Sequence, residues 1–232
     1  MSYGHQFILE IKMQFNTSIA HSEESILQTN KVIRNTYILL SMTLLFSGVT
    51  AFIGVISGAG FGVALVANIV AIAMLWFVLP RTANSASGIP VIFAITGLLG
   101  YGLGPLLSHY LAVNPSIVMT AVGGTGAIFL ALSGYALTTR KDFSFMGGFL
   151  MVGLMVVLGA SLLNIFMGWP ALFLTINGGI ILIMSGLILF QTSALIHGGE
   201  TNYIMATASL FLSILNLFQA LLHLLGAFSG DD

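Results

Sequence analysis

Five side chains able to form strong hydrogen bonds recur along the last apolar run of the chain. They are Ser209, Ser213, Asn216, Gln219 and His223, at offsets of 0, 4, 7, 10 and 14. At about 100° of turn per residue, a helix gathers them into one stripe roughly 120° wide. Its other faces carry Leu210, Phe211, Leu212, Leu215, Leu217, Phe218, Leu221 and Leu222. Hydroxyls, amides and one imidazole can bond helices together or line a hydrated path, but they offer no paired carboxylates for acid–base catalysis. Hydrocarbon cannot satisfy such groups, so the stripe is expected to face inward and its helix to be central.

A second polar group is charged: Arg81, Arg140, Lys141, Asp142, His197 and Glu200. Glu200 is expected to pair with one of these cations or with a cation on a partner. An exposed pair contributes only about 0–1 kcal/mol, so stability alone would not explain it. Enzyme signatures are missing, with no Gly-x-Ser-x-Gly elbow, His-Glu-x-x-His pair or Walker loop. His5, His21, His109, His197 and His223 are scattered, with no i, i+4 pair to hold a metal. Zero cysteines exclude disulfides, thiol catalysis and thiolate ligands. No catalytic residue, metal or cofactor is expected. Gly100-Tyr101-Gly102 superficially echoes a potassium filter, which needs a re-entrant loop and four-fold assembly. Here it lies inside an apolar run ending at Pro105.

The elements that position these residues follow from charge scarcity. Only 6% of the 232 residues are charged and 57% are hydrophobic, whereas a soluble domain carries about 25% charged residues. A soluble enzyme, a nucleic-acid binder and a disordered chain are excluded. The lipid bilayer is the partner that such a composition requires.

The uncharged intervals count the helices. They hold 46 residues after Arg34, 58 after Arg81, 57 after Asp142 and 30 after Glu200. One span needs about 20 apolar residues. The fold class is therefore an all-α membrane protein with seven transmembrane helices. The spans are expected at roughly 36–56, 61–79, 89–108, 116–138, 146–167, 170–190 and 204–227, with a short acidic end at 229–232. All six cations precede span 1 or lie between spans 2 and 3 or 4 and 5. Under the positive-inside rule, the N-terminus is cytoplasmic and the C-terminus periplasmic.

Residues 1–35 form a cytoplasmic tail. Leu9, Ile11, Met13 and Phe15 alternate with polar neighbours, a strand-like period that could extend another protein's sheet. The plainer alternative is an unstructured tail. Met13 is a candidate start, which would make residues 1–12 a misread beginning. Gly54, Gly58 and Gly62 are spaced by four, as are Gly100 and Gly104. That spacing lets helix backbones approach closely in lipid, either within this chain or between copies.

Several segments in order carry a family resemblance. They are Asn30-Lys-Val-Ile-Arg-Asn-Thr-Tyr37, Leu99-Gly-Tyr-Gly-Leu-Gly-Pro105 and Leu137-Thr-Thr-Arg-Lys-Asp-Phe-Ser-Phe145, then His197-Gly-Gly-Glu-Thr-Asn-Tyr203 and Leu215-Asn-Leu-Phe218. Together they resemble the Bax inhibitor-1 family, in its bacterial YccA branch, from about Met13 onward. The resemblance implies seven helices with helix 7 central within a six-helix surround. It also implies a bacterial inner-membrane protein that modulates the membrane-anchored, ATP-dependent protease FtsH as a slow substrate, with the tail as the segment gripped. The protease's membrane regulators HflK and HflC are further implied partners. Other branches are described as pH-sensitive calcium leaks with an acidic pair near one end of helices 6 and 7. The matching positions here are Gln191 and Ser213, and neither ionises. Arg81 matches a basic position that accompanies that pair. A pH-insensitive ion leak is the alternative function, weakened by the missing carboxylates.

Overall fold

In hydrocarbon, a chain without partner strands satisfies its backbone groups only by coiling into helices. The computed structural model describes residues 3–229, with side chains from Leu27 onward. Seven helices are long and apolar enough to cross a bilayer. They are α1 (Tyr3–Ile56, with Leu27–Ile56 its apolar part), α2 (Phe61–Thr82) and α3 (Gly88–Val113). Then come α4 (Pro115–Thr139), α5 (Met146–Met167), α6 (Pro170–Ile196) and α7 (Tyr203–Phe228). The described residues contain no strand.

Four spans exceed the hydropathy bounds by three residues or more: α1 at its start, and α2, α3 and α6 at their ends. Ser108 and Gln191 mark a change in polarity, but a polar residue near an interface does not stop a helix. The alternation at residues 9–15 is corrected to helix, because α1 begins at Tyr3. A lone strand leaves its backbone groups unpaired, whereas a helix pairs them within the segment. Side chains of residues 3–26 lie outside the described residues, as do residues 230–232 of the acidic end.

Helix α7 packs directly against α1, α3, α4 and α6, while α2 rests on α3 and α5 on α6. Leu210, Phe211, Leu217 and Leu222 of α7 are fully enclosed, together with Leu40, Ile92, Ile95 and Ile188 of the neighbouring helices. Helix α5 is the least enclosed, with Phe149, Val152, Met155 and Phe166 exposed.

The glycine spacing serves the α1–α3 contact. A Cβ added at Gly104 would lie 2.7 Å from the Gly54 carbonyl carbon, and one at Gly100 would collide with the Ser47 carbonyl oxygen. Gly58 instead takes φ +62° in the α1–α2 turn, and Gly62 meets nothing within 4 Å. Helix α2 widens to a π turn over Met74–Val78, just before Pro80. Proline cannot donate to the carbonyl four residues back, and the wider turn absorbs that lost bond.

Candidate functional site

The α6–α7 turn fixes one end of the polar stripe. Gly198 takes φ +74°, and Asn202 caps α7 by accepting from the Ile204 and Met205 backbone N–H groups at 2.9 and 3.1 Å. The same side chain donates Nδ2 to the Ala83 carbonyl at 3.1 Å and to Asn84 Oδ1 at 2.7 Å. Asn202 thus caps one helix and ties it to the α2–α3 loop. The ion pair expected of Glu200 does not form among the described residues. Its carboxylate accepts from the Asn202 backbone N–H at 2.8 Å, the shorter reach within the same turn.

A second knot joins the α4–α5 loop to α6. Ser193 Oγ accepts from the Phe143 backbone N–H at 2.9 Å, and His197 Nδ1 meets the Ser193 carbonyl at 2.9 Å. Asp142 accepts from the Ser144 backbone N–H at 2.8 Å. That bond, with the Ser144 hydroxyl and nearby His197, holds the Asp142 carboxyl below the usual aspartate range. Arg140 ends α4 in the left-handed region at φ 50°, and the Arg81 guanidinium donates to the Phe77 carbonyl of its own helix. The six charged-group residues therefore share one end of the bundle, with Glu200 in the first knot and Asp142 and His197 in the second.

Deeper along α6 and α7, polar groups meet inside the bundle. Ser213 Oγ donates to Gln191 Oε1 at 3.1 Å, so the two positions singled out in the sequence by the resemblance are in contact. Their shared proton lies on a serine hydroxyl, and nothing in the pair titrates near neutrality. Alongside, Thr192 Oγ1 lies 3.2 Å from the Tyr37 hydroxyl and 3.4 Å from Ser133 Oγ. Three helices, α1, α4 and α6, are bonded through one threonine.

Beyond Ser213 the stripe leaves the packed interior. Asn216 is exposed, and Ser209, Gln219 and His223 are half-buried. Asn216, Gln219 and His223 face a cavity of about 320 Å³, which is also lined by Ser161, Asn164, Phe173 and Asn177. His223 Nδ1 bonds the Tyr110 hydroxyl at 3.0 Å, with its ring edge-on to Phe173. The stripe thus meets protein at Ser213 and this cavity from Asn216 onward. The enclosed side chains of α7 include Leu210, Phe211, Leu217 and Leu222 together with Ser213, since in lipid packing and not water exclusion brings helices together. The polar rule forbids only contact with hydrocarbon, and a cavity meets it equally well.

Sequence inspection left Asn164, Asn177, Thr192, Ser193 and Asn202 without roles. The two asparagines carried a signal, as amides interrupting apolar runs. Asn202 carried another, as an Asn ahead of a helical run. Thr192 and Ser193 carried none, because short hydroxyls are common in such helices.

These features define a polytopic helical membrane protein with a polar-striped central helix and a neutral contact where a titratable one could stand. The family model described as "Inhibitor of apoptosis-promoting Bax1" matches residues 29–230, and the chain belongs to that family. Among its relatives is a protein of Escherichia coli strain K12 named "Modulator of FtsH protease YccA". It is 49% identical over 215 residues, which cover 92% of this chain and 98% of that one. A membrane protein of Vibrio cholerae serotype O1 is 48% identical over 213 residues, covering 91% and 96% of the two chains. A Pseudomonas aeruginosa protein is 43% identical over 225 residues, covering 96% and 99%.

Proposed function

We propose that this protein is a non-enzymatic, multi-pass protein of the bacterial inner membrane that binds and modulates the FtsH protease. Identity to a named modulator of that protease over nearly the full length of both chains carries the reading. A relative with the same match is named an inner membrane protein. The charged end of the bundle faces the cytoplasm under the positive-inside rule. The N-terminal part of α1 is then the segment presented to the protease, and the chain restrains it as a slow substrate. Co-isolation of the tagged chain from native membranes is expected to bring FtsH, with or without HflK and HflC. Deleting residues 1–30 should change turnover of the chain while membrane insertion persists. Absence of FtsH from the isolate, with turnover unaffected by the deletion, contradicts the reading.

The runner-up, an ion leak insensitive to pH, draws on the cavity beside Asn216. Between that cavity and the charged end stands the Gln191–Ser213 contact, which carries no group to open it by protonation. Flux in proteoliposomes that changed on Asn216→Leu or His223→Leu would favour the leak.

A further inference from the structure

Asn216 lies at the middle of α7, about 20 Å along the axis from Tyr203 and about 18 Å from Phe228. That depth is near the bilayer centre, yet the residue is exposed. Its Nδ2 donates to the Leu212 carbonyl of its own helix at 2.8 Å, which leaves Oδ1 without a partner among the described residues. One turn on, Gln219 has no hydrogen bond at either end of its amide among those residues. Asn177, on the floor of the same cleft, donates Nδ2 to the Phe173 carbonyl at 2.8 Å and leaves its Oδ1 to the cleft. The opposite wall belongs to α5, through Ser161 and Asn164. Helix α5 packs closely on α6 and leaves α7 uncovered along this side.

Unpaired amides at mid-bilayer depth cannot be left to hydrocarbon. A carboxylate or ammonium ligand has no counter-charge in the cleft. A ladder of neutral donors and acceptors about 10 Å long, from Asn216 to His223, matches side chains spaced along another helix. We propose that the α5–α7 cleft docks a transmembrane helix of another membrane protein that carries Asn, Gln, Ser or Thr near mid-depth. Amide–amide bonds across helices provide selectivity, because an all-leucine helix offers nothing to these groups. The site would favour helices with exposed polar residues, such as those of unassembled membrane subunits. This inference is independent of the protease reading and is tested without the protease.

The full chain, purified and reconstituted in proteoliposomes, is labelled with a donor dye and mixed with acceptor-labelled model helices. One probe is a leucine–alanine transmembrane peptide with a single central Asn; the other replaces that Asn by Leu. Energy transfer should report association about three- to ten-fold stronger for the Asn probe. The difference should vanish in the Asn216→Leu/Gln219→Leu double variant and shrink in Asn216→Ala, which guards against a folding defect in the double variant. Equal association of the two probes overturns the proposal. So does transfer between two copies of the chain that excludes both probes, which would make the cleft a dimer contact. The chain has no cysteine, so Ser161→Cys, on the α5 wall of the cleft, gives a single thiol that leaves Asn216 and Gln219 in place. Labelling of that thiol by a membrane-impermeant maleimide as fast as Ser229→Cys would show a water-filled vestibule and also overturn it. Slow labelling that falls further when the Asn probe is present supports it.

Discussion

Ser213 on α7 donates a hydrogen bond to Gln191 on α6 at 3.1 Å, and Ser213 is 3% exposed. Two carboxylates in the same positions would share a proton, with one pKa raised, and would part when the proton left. A hydroxyl and an amide hold the same helix contact at every pH the cell meets. Stability of the bundle should therefore be flat with pH through this contact. Installing Gln191→Asp with Ser213→Asp should make it pH-dependent. The sign follows from the raised pKa: the paired state is favoured at low pH and lost as pH rises through that value. Thermal unfolding in detergent across about pH 5 to 8 checks this, with the native chain as the flat control.

Ser213→Ala leaves the Gln191 carbonyl oxygen without its donor. The expected loss is about 0.5–1 kcal/mol, the range of single bonds between membrane helices. Equilibrium unfolding in mixed micelles measures it. A larger loss would show that the contact organises more than its own bond.

Gly104→Ala and Gly100→Ala should each destabilise by about 1–3 kcal/mol, since the added Cβ meets backbone or hydroxyl atoms of α1 at under 3.0 Å. Gly123→Ala and Gly134→Ala, with nothing within 4 Å, should be neutral or slightly stabilising through helix propensity. The four variants compared by thermal melts separate close packing from mere glycine content.

Asn202→Ala removes the α7 cap and the tie to the α2–α3 loop together, with an expected loss of about 1–2 kcal/mol. Asn202→Asp keeps the capping oxygens and loses only the donors to Ala83 and Asn84, so it should fall between. Hydrogen exchange at the first turn of α7 distinguishes the two, with protection kept in Asn202→Asp and lost in Asn202→Ala.

Asp142 is fully exposed, and its depressed pKa gives a definite sign. A carboxyl held lower in the folded state contributes above its unfolded pKa and ceases to contribute as pH falls through the folded value. Asp142→Asn should therefore be felt at neutral pH as a small loosening of the α4–α5 loop and vanish under strong acid. Limited proteolysis of that loop at two pH values reads it.

Charge spacing made the seven helices legible, because uncharged intervals must be filled by whole spans. The glycine spacing pointed to close backbone approach, and Gly54 and Gly104 supply it. The direction of the α7 stripe was only half legible. Periodicity shows that Ser209 to His223 share a face, but it cannot tell a packed neighbour from a cleft. That depends on how far α5 stands from α7, a long-range fact with no local trace. The tail failed for the opposite reason. Seven alternating residues fit a strand by period, while the helix of α1 continues through them because nothing interrupts it.

The most direct test places purified FtsH and a membrane-protein substrate in proteoliposomes with ATP, with and without this chain. Slower degradation of the substrate is expected when the chain is present, with slow loss of the chain itself and relief when residues 1–30 are deleted. A degradation rate unchanged by the chain, with the chain left intact, would contradict modulation of the protease.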